Sequence, residues 1–85
     1  MIKHEDNLCI FFTDENGFYH NDNGPAYRSK ISNLKFWKIH GINHRLDGPA
    51  AEYSDGKKEW HLNGVRILVN SQEEFERYLK LLVFI

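Results

Sequence analysis

The chain has 85 residues, 41% of them hydrophobic and 14% aromatic, enough to pack one core without disulfides or metal. Lys plus Arg number 11 against 12 Asp plus Glu, a formal charge of -1, which excludes the basic footprint of a nucleic-acid binder and equally an acidic mimic of DNA. A charged fraction of 27% beside frequent rings describes a folded domain, because that apolar surface offsets the chain entropy.

At the N-terminus, the uninterrupted apolar stretch is Leu8-Cys9-Ile10-Phe11-Phe12, shorter than the roughly 7–15 residues of a signal peptide's core. No segment reaches the ~20 apolar residues of a membrane span. Cys9 is the single cysteine, so no intrachain disulfide forms, and the expected compartment is the cytoplasm. Buried in an apolar strand, its thiol is read as core filling rather than a nucleophile.

From residue 16 onward the glycines set the pattern. Five of the six follow Asn or Asp, as Asn16-Gly17, Asn23-Gly24, Asp47-Gly48, Asp55-Gly56 and Asn63-Gly64, and His40-Gly41 is the sixth. Asx-Gly pairs favour two-residue hairpin turns because both central positions need positive φ. Short strands are therefore expected between them.

The same punctuation repeats. Gly17, Gly41 and Gly64 are spaced 24 and 23 apart, Trp37 and Trp60 are 23 apart, and His20 and His44 are 24 apart. Gly24-Pro25-Ala26 returns as Gly48-Pro49-Ala50. A period in the low twenties marks a small β-unit that buries its apolar side only against its neighbours. The repeats run from about 17–40 and 41–63, with a partial copy over 64–69, inside a single domain whose meander occupies 8–69.

Pairing around the turns assigns faces, since opposed residues of an antiparallel ladder point the same way. One parity collects Trp37, Ile39, Ile42, Trp60, Leu62, Val65 and Ile67, the expected core. The other places Phe36 beside Arg45, Lys38 beside Asn43, Glu59 beside Leu68 and His61 beside Arg66, an outward and mostly polar face.

Ser71-Gln72-Glu73-Glu74 reads as a capping box opening a helix over 71–83, with Phe75, Tyr78, Leu79 and Leu82 on one stripe. That helix is expected to cover the apolar face of the sheet. The tail Leu81 to Ile85 exceeds what one stripe needs and is expected to tuck under the sheet or meet another chain, leaving a homodimer open. The fold class is α+β, mostly β: an antiparallel meander of about seven or eight short strands with a C-terminal helix.

The segment Trp37-Lys-Ile-His-Gly-Ile-Asn-His-Arg-Leu-Asp-Gly-Pro-Ala50 resembles the Trp-x-x-Asn-Gly-x-x-His-Arg-x-Asp-Gly-Pro-Ala repeat of small proteins from tailed bacteriophages and giant viruses. It is similar as well to the MORN repeat, which shares the hairpin period and the Trp and Gly placements. The resemblance spans about Gly17 to Ile67. Three departures stand out: His40 replaces Asn, Asn21 and Asn23 replace Arg and Asp, and the copy begun at Trp60 never reaches Gly-Pro-Ala. The resemblance implies a repeat scaffold of viral origin and no common activity.

Histidine is a residue type that serves as a base and binds zinc, but the repetition of His20 and His44 with Gly-Pro-Ala favours structural histidines, with Asp47 as the expected partner of His44. The structural repeat set is then Trp37, Trp60, His20, His44, Asp47, Gly24, Gly48, Pro25 and Pro49, with no metal or cofactor expected. Ser71 is a helix cap, and no glycine-rich loop opens a helix to cradle phosphate. The tryptophans share the apolar face, so core packing is favoured over base stacking. For binding, the outward residues Phe36, Lys38, Arg45, Glu59, His61 and Arg66 are the candidate contact set, an aromatic beside an arginine being a frequent interface anchor.

The expected function is not enzymatic: a small viral protein-interaction module that binds a host protein in the host cytoplasm and inhibits a defence or takeover target such as a nuclease effector. Neither a nucleic acid nor a membrane is an expected partner. An oligomeric protein that sequesters a nucleotide signal, or a structural virion-associated repeat, is the alternative.

Overall fold

The structure is a computed structural model and describes residues 1–83. Nine strands precede one helix: β1 (Ile2–Glu5), β2 (Cys9–Thr13), β3 (Tyr27–Ser29), β4 (Lys35–Phe36), β5 (Lys38–Ile39), β6 (Ile42–Asn43), β7 (Ala51–Glu52), β8 (Lys58–Leu62), β9 (Val65–Ile67) and α1 (Gln72–Val83). Seven of the strands form one antiparallel sheet in the order β1-β2-β3-β4-β7-β8-β9, and β5 and β6 pair as a separate ribbon. The fold is therefore α+β, mostly β, a meander closed by a C-terminal helix. Strand β1, which no turn signal announced, lengthens the meander on its N-terminal side.

The copies are bounded by their rising strands rather than by the turns at Gly17, Gly41 and Gly64, and each is a hairpin of one rising and one falling strand. In the second copy β4 and β5 rise to His40-Gly41, and the chain returns through β6 and β7. The register Lys38 opposite Asn43 and Ile39 opposite Ile42 is the expected one. So is Trp60 opposite Ile67, His61 opposite Arg66 and Leu62 opposite Val65 in the third. Both turns have positive φ at each central residue, 46° at His40 and 81° at Gly41, then 50° at Asn63 and 85° at Gly64. That is the geometry whose twist matches the flanking strands.

The backbone extends the repeat toward the N-terminus. The His44 N–H donates to the Trp37 carbonyl and the His20 N–H to that of Phe12, while Trp37 and Phe12 donate to the carbonyls of Ala50 and Ala26. Phe12 therefore stands in the tryptophan position of a first copy whose rising strand is β2.

Two expected turns are not turns. Asn23-Gly24 and Asp47-Gly48 lie in bends ahead of β3 and β7, and neither glycine has positive φ. Each leads through proline into a bulge, where Ala26 and Tyr27 both face Phe36, and Ala50 and Ala51 both face Glu59. Ala26 and Ala50 are completely buried because a neighbouring strand is bonded on either side.

The copies are joined by their histidines. The Nδ1 of His20 accepts the backbone N–H of His40 at 2.9 Å, and the Nδ1 of His44 accepts that of Asn63 at 3.0 Å. In both cases the donor is the left-handed residue of the next copy's turn. The following glycine amide is held as well, Gly41 by the Tyr19 carbonyl and Gly64 by that of Asn43.

The expected core needs correction. Trp60 is buried, and its Nε1–H donates to Oε1 of Gln72 at 2.8 Å at the start of α1. Phe75 of the same helix is fully buried. Trp37 is not under the helix: the Arg45 guanidinium lies over its ring at 3.8 Å. Ile42 and Val65 are exposed, at 50% and 63%; Val65 follows the last turn, and Ile42 stays exposed although the third copy's Gly64 lies against it. At the cap, Ser71 Oγ accepts the Glu74 N–H as expected, but the Glu74 carboxylate reaches the Asn70 amide, one residue earlier than a capping box requires. Leu81 is exposed, and the expected tail continues into Phe84 and Ile85, which lie outside the described residues.

Asp47 bonds Arg45 Nε at 3.0 Å rather than His44. This places the guanidinium so that a Cβ on Gly48 would meet Arg45 Cζ at 2.5 Å, whereas a Cβ on Gly24 would find only Asn21 Nδ2 at 3.7 Å. Gly48→Ala should therefore cost about 1 kcal/mol or more in urea denaturation as Arg45 is pushed off Trp37, and Gly24→Ala should stay within about 0.5 kcal/mol of the wild type.

Candidate functional site

Alternation along each strand puts rings on the sheet face away from Trp60 and α1, and contacts join them across neighbouring strands. His4 stacks on Phe11 at 4.5 Å between centroids. Phe11 meets Tyr19 at 5.4 Å, Tyr19 meets Tyr27 at 6.3 Å, Tyr27 meets Phe36 at 6.1 Å, and Phe36 meets Tyr53 at 5.9 Å. The result is a ladder of rings across the sheet.

Beyond the first stack the rings are turned against one another, by 83°, 75°, 46° and 81°. Edge-to-face packing of this kind suits the ring quadrupoles. It also turns the rings' faces toward their neighbours, so the surface is corrugated rather than a platform on which bases could stack. A depression of about 360 Å³ opens between Tyr19, Tyr27, Leu34, Phe36, Lys38 and Asn43. Lys38 holds its ammonium 5.9 Å from the Phe36 centroid and takes no ion pair among the described residues.

A polar group continues the ladder past Tyr53. Glu59 Oε1 accepts the Tyr53 hydroxyl at 3.1 Å and the His61 Nε2–H at 3.2 Å, and Arg66 lies 3.6 Å from its other oxygen. The hydrogen bond from His61 is the leading reason the Glu59 carboxyl titrates below its ordinary range; burial opposes this, and Tyr53 and Arg66 reinforce it. Burial comes first among the causes that push the hydroxyls of Tyr27 and Tyr53 upward.

Five of the six expected contact residues, Phe36, Lys38, Glu59, His61 and Arg66, share this face. Arg45 does not. It lies on the opposite side over Trp37, because its guanidinium bonds Asp47, Glu52 and the Pro49 carbonyl there. His61, expected in water, is only 8% exposed, and its Nδ1 is buried without a partner. Phe11, Tyr19, Tyr27 and Tyr53 complete the surface, although turn pairing did not reach them.

A second cluster sits at the first two turns. Asp14, nearly buried, accepts the Asn16 and Phe18 amides at 2.9 and 3.0 Å on Oδ1 and the His40 Nδ1–H at 2.7 Å on Oδ2. His40 stacks on His20 at 4.1 Å, and the His20 Nε2–H donates to Asp22 at 3.2 Å. Here His40 ties one hairpin loop to the next. No group of three His, Cys, Asp or Glu residues is placed to hold a metal among the described residues. Among them, no helix is long and apolar enough to cross a membrane.

No protein family, characterised protein or solved structure matches the chain.

The bond from His40 is the first cause that lowers the Asp14 carboxyl below its usual range, followed against it by desolvation. A carboxyl depressed in the folded state contributes stability above the unfolded-state range that is lost as pH falls through the folded value. Thermal melts should therefore show stability declining from about pH 5 downward, and Asp14→Asn should flatten that decline. An unchanged slope in the variant would contradict the assignment.

Proposed function

We propose that this chain is a protein-binding module whose aromatic sheet face is the contact surface, and that it acts by binding rather than catalysis. The observation that carries the reading is the ring ladder from His4 to Tyr53 on the face opposite α1. Tyr and Arg are enriched in protein interfaces, where rings fill pockets and polar groups form a rim. Here the corrugated rings supply the apolar centre, the depression beside Lys38 accepts a side chain, and Lys38 with the Glu59–Arg66 pair forms the rim.

The repeat resemblance adds the target class: a viral protein acting in the host cytoplasm against a host defence or takeover protein such as a nuclease effector. Lys38 favours a partner that presents an acidic residue beside its apolar anchor.

The test is affinity purification of a tagged chain from host lysate, with face variants run in parallel. A stoichiometric partner should be retained by the wild type and by Lys58→Glu, on the other face. Tyr19→Glu and Lys38→Glu, each shown folded by circular dichroism, should weaken its binding at least about tenfold. No stoichiometric partner, or equal retention by all four proteins, would refute the reading.

A further inference from the structure

The two Gly-Pro-Ala copies build matching frames on the helix side of the sheet, and in only one of them does an arginine cover the ring. In the second copy Arg45 lies over Trp37 at 3.8 Å and bonds the Pro49 carbonyl at 3.1 Å. Its charge is answered by Asp47 at 3.0 Å and Glu52 at 3.3 Å. Ring, guanidinium and two carboxylates make a closed unit.

In the first copy Phe12 holds the ring position and Asn21 the arginine position. Asn21 Nδ2 makes the equivalent bond to the Pro25 carbonyl at 3.1 Å, but the side chain is too short to continue across the ring. The acids are gone too: Asn23 replaces Asp47, and Arg28 replaces Glu52. What remains is a cup of about 280 Å³ lined by Ile10, Phe12, Pro25, Lys3 and Arg28 together with Asn21, Asn23 and Gly24, while Asp22 of the same loop is bonded to His20. Its lining contains two cations and no carboxylate.

These cations are poorly neutralised. Arg28 takes no ion pair among the described residues, and its register partner on β4 is Lys35. Like charges directly opposed across strands are destabilising. Lys35 has Glu52 as its partner on the other side, but that carboxylate is bonded to Arg45. Lys3 lies 3.4 Å from Glu5, whose other oxygen is held by Lys30 at 2.7 Å.

We propose that this cup binds a small organic anion with a single-ring apolar body, its carboxylate or phosphate group taken by Arg28 and Lys3 and its ring laid against Phe12. The guanidinium fork matches either oxyanion, and the volume falls just below that of pockets for drug-sized ligands, about 300–1,000 Å³. The inference uses the face opposite the aromatic ladder and does not depend on it.

Amide shifts in a ¹⁵N NMR titration with benzoate, phenyl phosphate and benzamide test the assignment, and the tighter of the two anions identifies the oxyanion. At least one anion should give saturable shifts at Phe12, Asn21 and Arg28, with neutral benzamide at least about tenfold weaker. Arg28→Gln should weaken the anion at least about tenfold. The double variant Asn21→Arg with Arg28→Glu installs the second copy's own filling and should bind neither anion while keeping the native spectrum elsewhere. No saturable shift with either anion up to about 20 mM, equal affinity for benzamide, or undiminished binding by Arg28→Gln would overturn it.

Discussion

The interaction on which the architecture turns is a single hydrogen bond made twice: an imidazole Nδ1 accepting the amide of the left-handed residue in the next copy's turn. A two-residue turn leaves that amide pointing away from its own hairpin, so its acceptor comes from outside the turn; the bond is part-buried at His20 and exposed at His44. His20 and His44 satisfy it from the adjoining strand, so a turn is completed only when the preceding copy is in place. The same constraint fixes tautomer and position together. Nδ1 must stay unprotonated, which at His20 leaves Nε2–H free to meet Asp22.

With the hairpins locked side by side, the rest follows from strand alternation and from where the array stops. One sheet face receives the rings from His4 to Tyr53; the other receives Phe12, Trp37 and Trp60. On that second face each ring is covered differently, by Arg45 over Trp37 and by α1 at Trp60. The helix starts where a third Gly-Pro-Ala would fall, and Gln72 acts as the clamp: its Oε1 accepts from Trp60 and its Nε2 donates to the Leu46 carbonyl at 3.1 Å. A terminal cap of different structure is what a repeat array needs, because its last unit has no neighbour. Phe12 has no comparable cover, which leaves the basic cup open.

Much of this was legible in the residues. The spacing of Gly41 and Gly64 located both two-residue turns, the Trp and His intervals gave the unit, and Ser71 with Phe75 marked the helix. Local periodicity carries those features. The Gly-Pro segments misled because Asx-Gly signals a turn, whereas here the chain bulges without reversing, and a bulge shifts the pairing of everything beyond it. The ring ladder is hidden for the same reason: Tyr19 and Tyr27 do not recur in the next copy and Phe36 is matched only by Phe11, so the bulged register is what brings them together. Hairpin parity puts Arg45 on the outward face, but β6 ends at Asn43 and the arginine lies over Trp37 on the other side. The rising strand of the first copy carries no repeat signal, because Phe12 stands for tryptophan and its loop is one residue longer.

Ring-nitrogen NMR on uniformly ¹⁵N-labelled protein tests the central interaction most directly. At neutral pH, His20 and His44 should both appear as the neutral Nε2–H tautomer, with Nδ1 unprotonated and coupled across the hydrogen bond to the amides of His40 and Asn63. Finding either ring with a proton on Nδ1, or either amide exchanging as fast as an unprotected one, would contradict the account.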